Sequence, residues 1–234
     1  MKMKVSLIMV FILICALSFS IAESNEQDNT QILFRGFDWY ATKSEIEQKL
    51  FSEGATSAGL SSTPNTIYHM SDSESWSFTT DRIENGGYRG WYSGISVAGY
   101  EVNDTYICYI YPITNGKIMK DDEQAQMYMG WYTFAKRDYV DHQSIYDDLS
   151  AKLSSLYGNG SISNTQYSTS TIWTDDVGNS IRLWINDDKD EVALGYMSAD
   201  ANKRLDAMTV ALENEAAAAE SEQRQKNASN TSGL

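Results

Sequence analysis

The chain has 234 residues, 42% of them hydrophobic and 21% charged, with a mean hydropathy of −0.42. That is the make-up of a soluble globular protein long enough to bury a real core, and it excludes both a disordered polar chain and a bundle of membrane helices. A formal net charge of −14 works against nucleic acid and anionic lipid as partners, since either would meet a surface of its own sign with no basic stripe to neutralise phosphates.

Lys2 and Lys4 precede an uncharged run over 5–19, and Ser20-Ile21-Ala22 sets small residues at the −3 and −1 positions of a cut after Ala22. This order predicts a signal peptide over 1–22, and hence an extracytoplasmic protein, secreted or associated with the cell envelope and free of the membrane after cleavage. The rival is an uncleaved anchor, because 5–22 approaches the length of about 18 residues at which a spanning helix becomes feasible. Cleavage removes Lys2, Lys4 and Cys15, leaving sixteen Lys and Arg against 32 Asp and Glu, a net charge of −16, and Cys108 as the one cysteine. No internal disulfide can then form, so an apolar core must hold the exported domain together.

Residues 23–31 read as a flexible lead-in. A first helix follows: Thr42 with Glu45, or Ser44 with Glu47, fits a capping box, Ile46 and Leu50 keep helical spacing, and Gly54 stops it. Over 66–135 the pattern shifts to period two, predicting an antiparallel meander. Its clearest turn is Asn115-Gly116, joining a strand over 106–113 to one from Lys117 onward. Apolar residues on both faces of 106–111 imply a central strand, with Pro112 at its end. The next strand, 126–134, sets Met127, Met129 and Trp131 on one face and Tyr128, Tyr132 and Phe134 on the other.

A second helix is predicted over 141–157, with Ile145, Leu149, Leu153 and Leu156 inward and Gly158 as the stop. After a Gly/Ser/Asn loop come strands at 172–174, 181–185 and 192–197. A third helix runs from Asp200 through Leu205, Met208 and Leu212 into 216–219, and 227–234 is a polar, disordered tail. The fold class is therefore α+β: one domain over 32–226 in the order helix, antiparallel meander, helix, meander, C-terminal helix. That order admits an internal duplication of 32–133 and 134–198. An offset of 100 aligns Phe34 with Phe134, Asp38 with Asp138, Trp39 with Tyr139 and Ser44 with Ser144.

Phe34-Arg35-Gly36 followed by Trp39 and a capped helix resembles the opening block of uncharacterised exported proteins of Gram-positive anaerobic bacteria, although Tyr40 stands where that pattern carries Gly. The tandem helix-then-sheet order is similar to that of β-lactamase inhibitory proteins and small envelope assembly lipoproteins. This second resemblance is one of element order, and it implies a fold and a protein-binding role.

Catalytic and metal signatures are thin. Two histidines, His69 and His142, cannot make a His-rich zinc centre, and one exported cysteine cannot complete a thiolate site. His142, beside Asp141, reads as a solvated residue at a helix start. There is no G-x-S-x-G elbow. The acidic run at 186–191 lacks the glycine and terminal glutamate of a calcium loop and reads as a solvated turn. No metal and no cofactor is expected. Cys108, among Tyr106, Ile107, Tyr109 and Ile110, reads as a small buried hydrophobe in a strand. The candidate binding residues are Tyr88, Arg89, Trp91 and Tyr92, three aromatics and an arginine in a glycine-rich segment that favours a loop or bulge; these are the residue types of binding hot spots. The competing reading is that Trp91 and Tyr92 start a strand and face inward. Trp184, alternating with Leu183 and Ile185 in a clean strand, reads as a structural or partly exposed sheet residue. The expectation is an exported, non-enzymatic protein that binds an extracytoplasmic protein or glycan, with a hydrolase acting on cell-wall or glycan substrates as the alternative. A hydrolase calls for a deep pocket of converging carboxylates or a histidine, a binder for an open face or rim.

Overall fold

The computed structural model describes residues 31–60, 66–70, 78–135, 140–164, 169–186 and 191–229. Helix α1 is Lys43–Ser52, and it starts on the Thr42/Glu45 capping box: the Glu45 N–H donates to the Thr42 hydroxyl, while the Glu45 carboxylate accepts from the Thr42 N–H. The Ser44/Glu47 alternative is not used. Helix α2 is His142–Tyr157, capped by Asp141, whose carboxylate accepts from the Ser144 N–H at 2.8 Å, and it ends at Gly158 with φ +77°. Helix α3 is Ala201–Ser229, so regular structure runs past Asn227 into the segment read as a tail.

The strands are β1 (Thr56–Leu60), β2 (Thr66–Met70), β3 (Phe78–Glu84), β4 (Gly87–Ser93), β5 (Ser96–Val97), β6 (Tyr100–Glu101), β7 (Asp104–Ile110), β8 (Ile113–Thr114), β9 (Lys117–Ile118), β10 (Gln126–Ala135), β11 (Ser161–Asn164), β12 (Thr169–Thr174), β13 (Ser180–Asn186) and β14 (Glu191–Met197). Eight of them form one sheet in the order β1-β4-β7-β10-β14-β13-β12-β11, antiparallel at every step. Each half of the chain supplies a helix followed by four sheet strands that start at an outer edge and end at the centre, where β10 meets β14.

Several expectations shift in register or extent. Asn115 and Gly116 do turn, both at positive φ, but they join two-residue strands, β8 and β9, because Pro112 ends the long strand before the turn. Residues 161–164, expected as loop, form β11: the segment has a single large apolar residue, too little for a periodic signal, and becomes a strand by pairing with the nearby β12. Under the offset of 100, Phe34 precedes a helix whereas Phe134 lies inside β10. The two helix caps, Thr42 and Asp141, are 99 residues apart. Asp138, Tyr139 and most of the acidic turn fall outside the described residues.

Both faces of the sheet bury side chains: Tyr92, Tyr109 and Tyr132 lie on one, and Cys108, Met129 and Met197 lie on the other. The helices α1 and α2 pack on the first. The Tyr146 hydroxyl of α2 bonds Thr171 of β12 at 2.6 Å, and the Tyr92 hydroxyl of β4 donates to Glu47 of α1 at 2.9 Å, so both helices cover this face. The described part of the lead-in runs on to Ala41, just before α1, and covers the centre of this face: Phe34 stacks on Tyr132 at 4.9 Å and meets Tyr196 edge-on at 5.6 Å. Leu149 and Leu153 are buried, but Leu156 is 61% exposed; Tyr146 and the partly buried Tyr157 fill the stripe instead. Leu153→Ala is expected to cost about 2–5 kcal/mol in transfer and cavity energy, measured by denaturant unfolding; a loss below about 0.5 kcal/mol would place that side chain at the surface.

Candidate functional site

The glycine-rich segment is a strand, not a loop. Along β4 burial alternates, so that Tyr88, Gly90 and Tyr92 face the helices while Arg89, Trp91 and Ser93 face the other way, half-buried. Tyr88 is 4% exposed and stacks on Tyr109 at 5.1 Å. Tyr92 is fully buried, with its hydroxyl 2.9 Å from Glu47 and 3.0 Å from the Tyr109 hydroxyl. Burial, reinforced by Tyr109 and Glu47, drives the Tyr92 phenol far above its ordinary pKa. The placement of Tyr88 and Tyr92 at a binding surface is thereby corrected: both are core residues. Gly90 is there for packing, since a Cβ on it would sit 2.7 Å from the Tyr92 ring, which folds back across it.

Arg89 and Trp91 instead belong to a row across the opposite face. Strand register sets Trp91 against Tyr106 and Tyr106 against Trp131. The rings stack at 6.2 Å and 15°, then at 4.9 Å and 22°. The second distance matches the spacing of neighbouring strands, about 4.8 Å. Rings that stack at strand spacing stand on the sheet like cards, with their faces against one another and their edges outward. The Arg89 guanidinium lies 5.2 Å from the Tyr106 ring centre and 5.8 Å from that of Trp131. The Trp91 indole N–H donates to Asp104 at 2.7 Å. Beyond Trp131 the register passes Gly195 to Arg182, whose guanidinium sits 5.5 Å from the Trp184 ring. Burial, then Asp104, raises the Tyr106 phenol pKa, while Arg89 pulls it back.

Sequence reasoning found Arg89 and Trp91 in this row and missed Tyr106, Trp131 and Arg182, while Trp184 is the partly exposed sheet residue that its strand pattern allows. Trp131 was assigned to a strand face, and that alternation was the available signal. What joins it to Trp91 is a register spanning three strands.

A second concavity, of about 270 Å³, lies at the start of α3, lined among others by Asp38, Tyr40, Asn179, Ser198 and Asp200. Its carboxylates are engaged in holding chain segments together. Asp200 accepts from Ser198 Oγ at 3.0 Å and from the Tyr40 hydroxyl, and Asp38 accepts from the Tyr40 N–H at 2.7 Å. Neither histidine lines it. Among the described residues there is no group of three or more metal-ligating side chains.

The Phe-Arg-Gly-x-x-Trp block proves to be a clamp. Arg35, at φ +53°, reaches Glu53 at the end of α1 with a 2.5 Å contact, and the Trp39 indole donates to the Ile32 carbonyl at 3.1 Å. Cys108 is fully buried, and burial pushes its thiol up to about 12. In the native protein it should therefore resist a thiol reagent such as dithionitrobenzoate and react once urea unfolds the chain; fast reaction in the absence of urea would contradict this burial. No protein family, curated protein or solved structure matches the chain.

Proposed function

We propose that this is an extracytoplasmic, non-enzymatic binding protein whose partner is another protein. One observation carries the reading: a half-buried row of Trp91, Tyr106 and Trp131, flanked by Arg89 and Arg182, on the sheet face opposite α1 and α2 and beside the buried Cys108 and Met129 of that face. Trp, Tyr and Arg are the residues that dominate binding energy when their last water is excluded. A protein partner is favoured over a glycan because sugars stack on ring faces, and the faces inside this row are already taken; ring edges and guanidinium groups suit peptide carbonyls, carboxylates and apolar side chains. Two arginines on this face of a chain of strongly negative net charge also favour a partner that brings acidic groups to it.

The test uses the exported chain, whose first residue by N-terminal sequencing should be Glu23, as bait in the envelope and culture fractions of its own host. Arg89→Ala with Trp91→Ala should keep a cooperative unfolding transition and weaken capture by about tenfold or more, the range of hot-spot residues. Tyr92→Ala is the contrast and should destabilise the fold. Undiminished capture by the double variant removes the row as the site. Retention of the chain on a polysaccharide, lost in the double variant, would replace the protein partner with a glycan, and turnover of a cell-wall or glycan substrate would replace binding with hydrolysis.

A further inference from the structure

The two edges of the sheet differ. β1 is blunted by a β-bulge between Ser57 and Gly59, with Gly59 at φ +128°. β11, at the other end of the strand order, is regular through its four pairs with β12 and has no proline, no charge and no bulge. Those are the devices by which sheet proteins keep their edges from pairing with another chain. Ile162, on β11 itself, is 69% exposed. The same region is the longest uncharged stretch of the whole sequence. Residues 153–174 hold no Asp, Glu, Lys or Arg in 22 positions, and they supply the end of α2, all of β11 and all of β12.

From this we infer that β11 is a pairing edge for a second copy of the chain, joined antiparallel about a two-fold axis perpendicular to the sheet. An antiparallel edge is complementary to itself, so one strand serves both partners. The axis keeps the two sheet faces in common, which brings Ile162 of both copies to the same side of the joint. The uncharged stretch is what favours a like copy over a different protein: two acidic chains repel across most of their surfaces, and this edge is where they approach without setting charge against charge. The row of Trp91, Tyr106 and Trp131 lies strands away, so the pairing leaves it free.

The exported chain is examined by sedimentation velocity across a broad concentration range, alongside amide exchange at the low and high ends. The mass should rise from one chain to two, and exchange in Ser161–Asn164 should slow as it does. Ile162→Lys places a charge in the centre of the joint and should weaken association by about tenfold or more with the unfolding midpoint unchanged. Thr56→Lys, on the bulged edge, should associate like the parent. A single-chain mass at every concentration, a dimer in which β11 exchange does not slow, or equal association by Ile162→Lys would each overturn the inference. Because none of these readouts involves capture of the protein partner, they stand or fall separately from the proposed function.

Discussion

Phe34→Ala is expected to cost about 3–5 kcal/mol, the range for emptying a buried aromatic site. Phe34 is fully buried; its ring stacks on Tyr132 and meets Tyr196 edge-on, and so ties the segment before α1 to the two central strands. It lies directly over Gly130, where a Cβ would come within 2.8 Å of the ring. Gly130→Ala should therefore also destabilise, by about 1–3 kcal/mol, because the core is overfilled at that point. The pair gives a sharper test than either change alone. With the ring removed, the added methyl has room, so Gly130→Ala in the Phe34→Ala background should be close to neutral and the double-mutant cycle should show a coupling of about 1–3 kcal/mol. Denaturant midpoints of the four proteins measure it. Additive losses would mean that the lead-in does not rest on β10.

The same residues show where the sequence was readable. Local chemistry declared itself: Asp141 and Gly158 bracket α2, Thr42 with Glu45 opens α1, and Asn115-Gly116 turns. These features depend on neighbours within a few positions, where hydrogen-bonding groups and φ preferences act directly. Facts set by a pairing partner or by the rest of the fold were out of reach. β11 has one large apolar residue in four, too little for a periodic signal, and becomes a strand because β12 lies alongside. The site failed for a related reason. Alternation along β4 sorts Tyr88 and Tyr92 from Arg89 and Trp91 as soon as the segment is taken as a strand, but the glycines argued for a loop. Even with the strand assigned, nothing within it says which face the helices cover; that follows from Glu47 reaching Tyr92 across 45 residues.

Arg204→Ala should be comparably damaging for a different physical reason. The Arg204 side chain runs from the first turn of α3 into the body and donates to the carbonyls of Trp39 at 3.1 Å and Met127 at 3.0 Å, while its guanidinium lies 4.6 Å from the Tyr40 ring centre. Burial lowers its pKa, opposed by Asp200 and Tyr40. A cation held largely by neutral carbonyls has a desolvation cost of its own, and hydrogen bonds from a charged donor, about 1.5–3 kcal/mol each, offset it. Removing the side chain strips two carbonyls of their donor and detaches α3 from both the lead-in and the start of β10. The expected loss is about 2–4 kcal/mol. Arg204→Lys should recover only part of it, because an ammonium on an unbranched stem cannot spread its donors as the planar fork does. Since Leu205, Met208 and Ala211 are the side chains that bury the first turns of α3 beyond Arg204, the damage should be local as well as global: amide exchange over 205–211 should accelerate more in Arg204→Ala than in a Leu153→Ala protein of equal overall stability. Equal acceleration in the two would mean that the guanidinium is not what fastens this helix to the sheet.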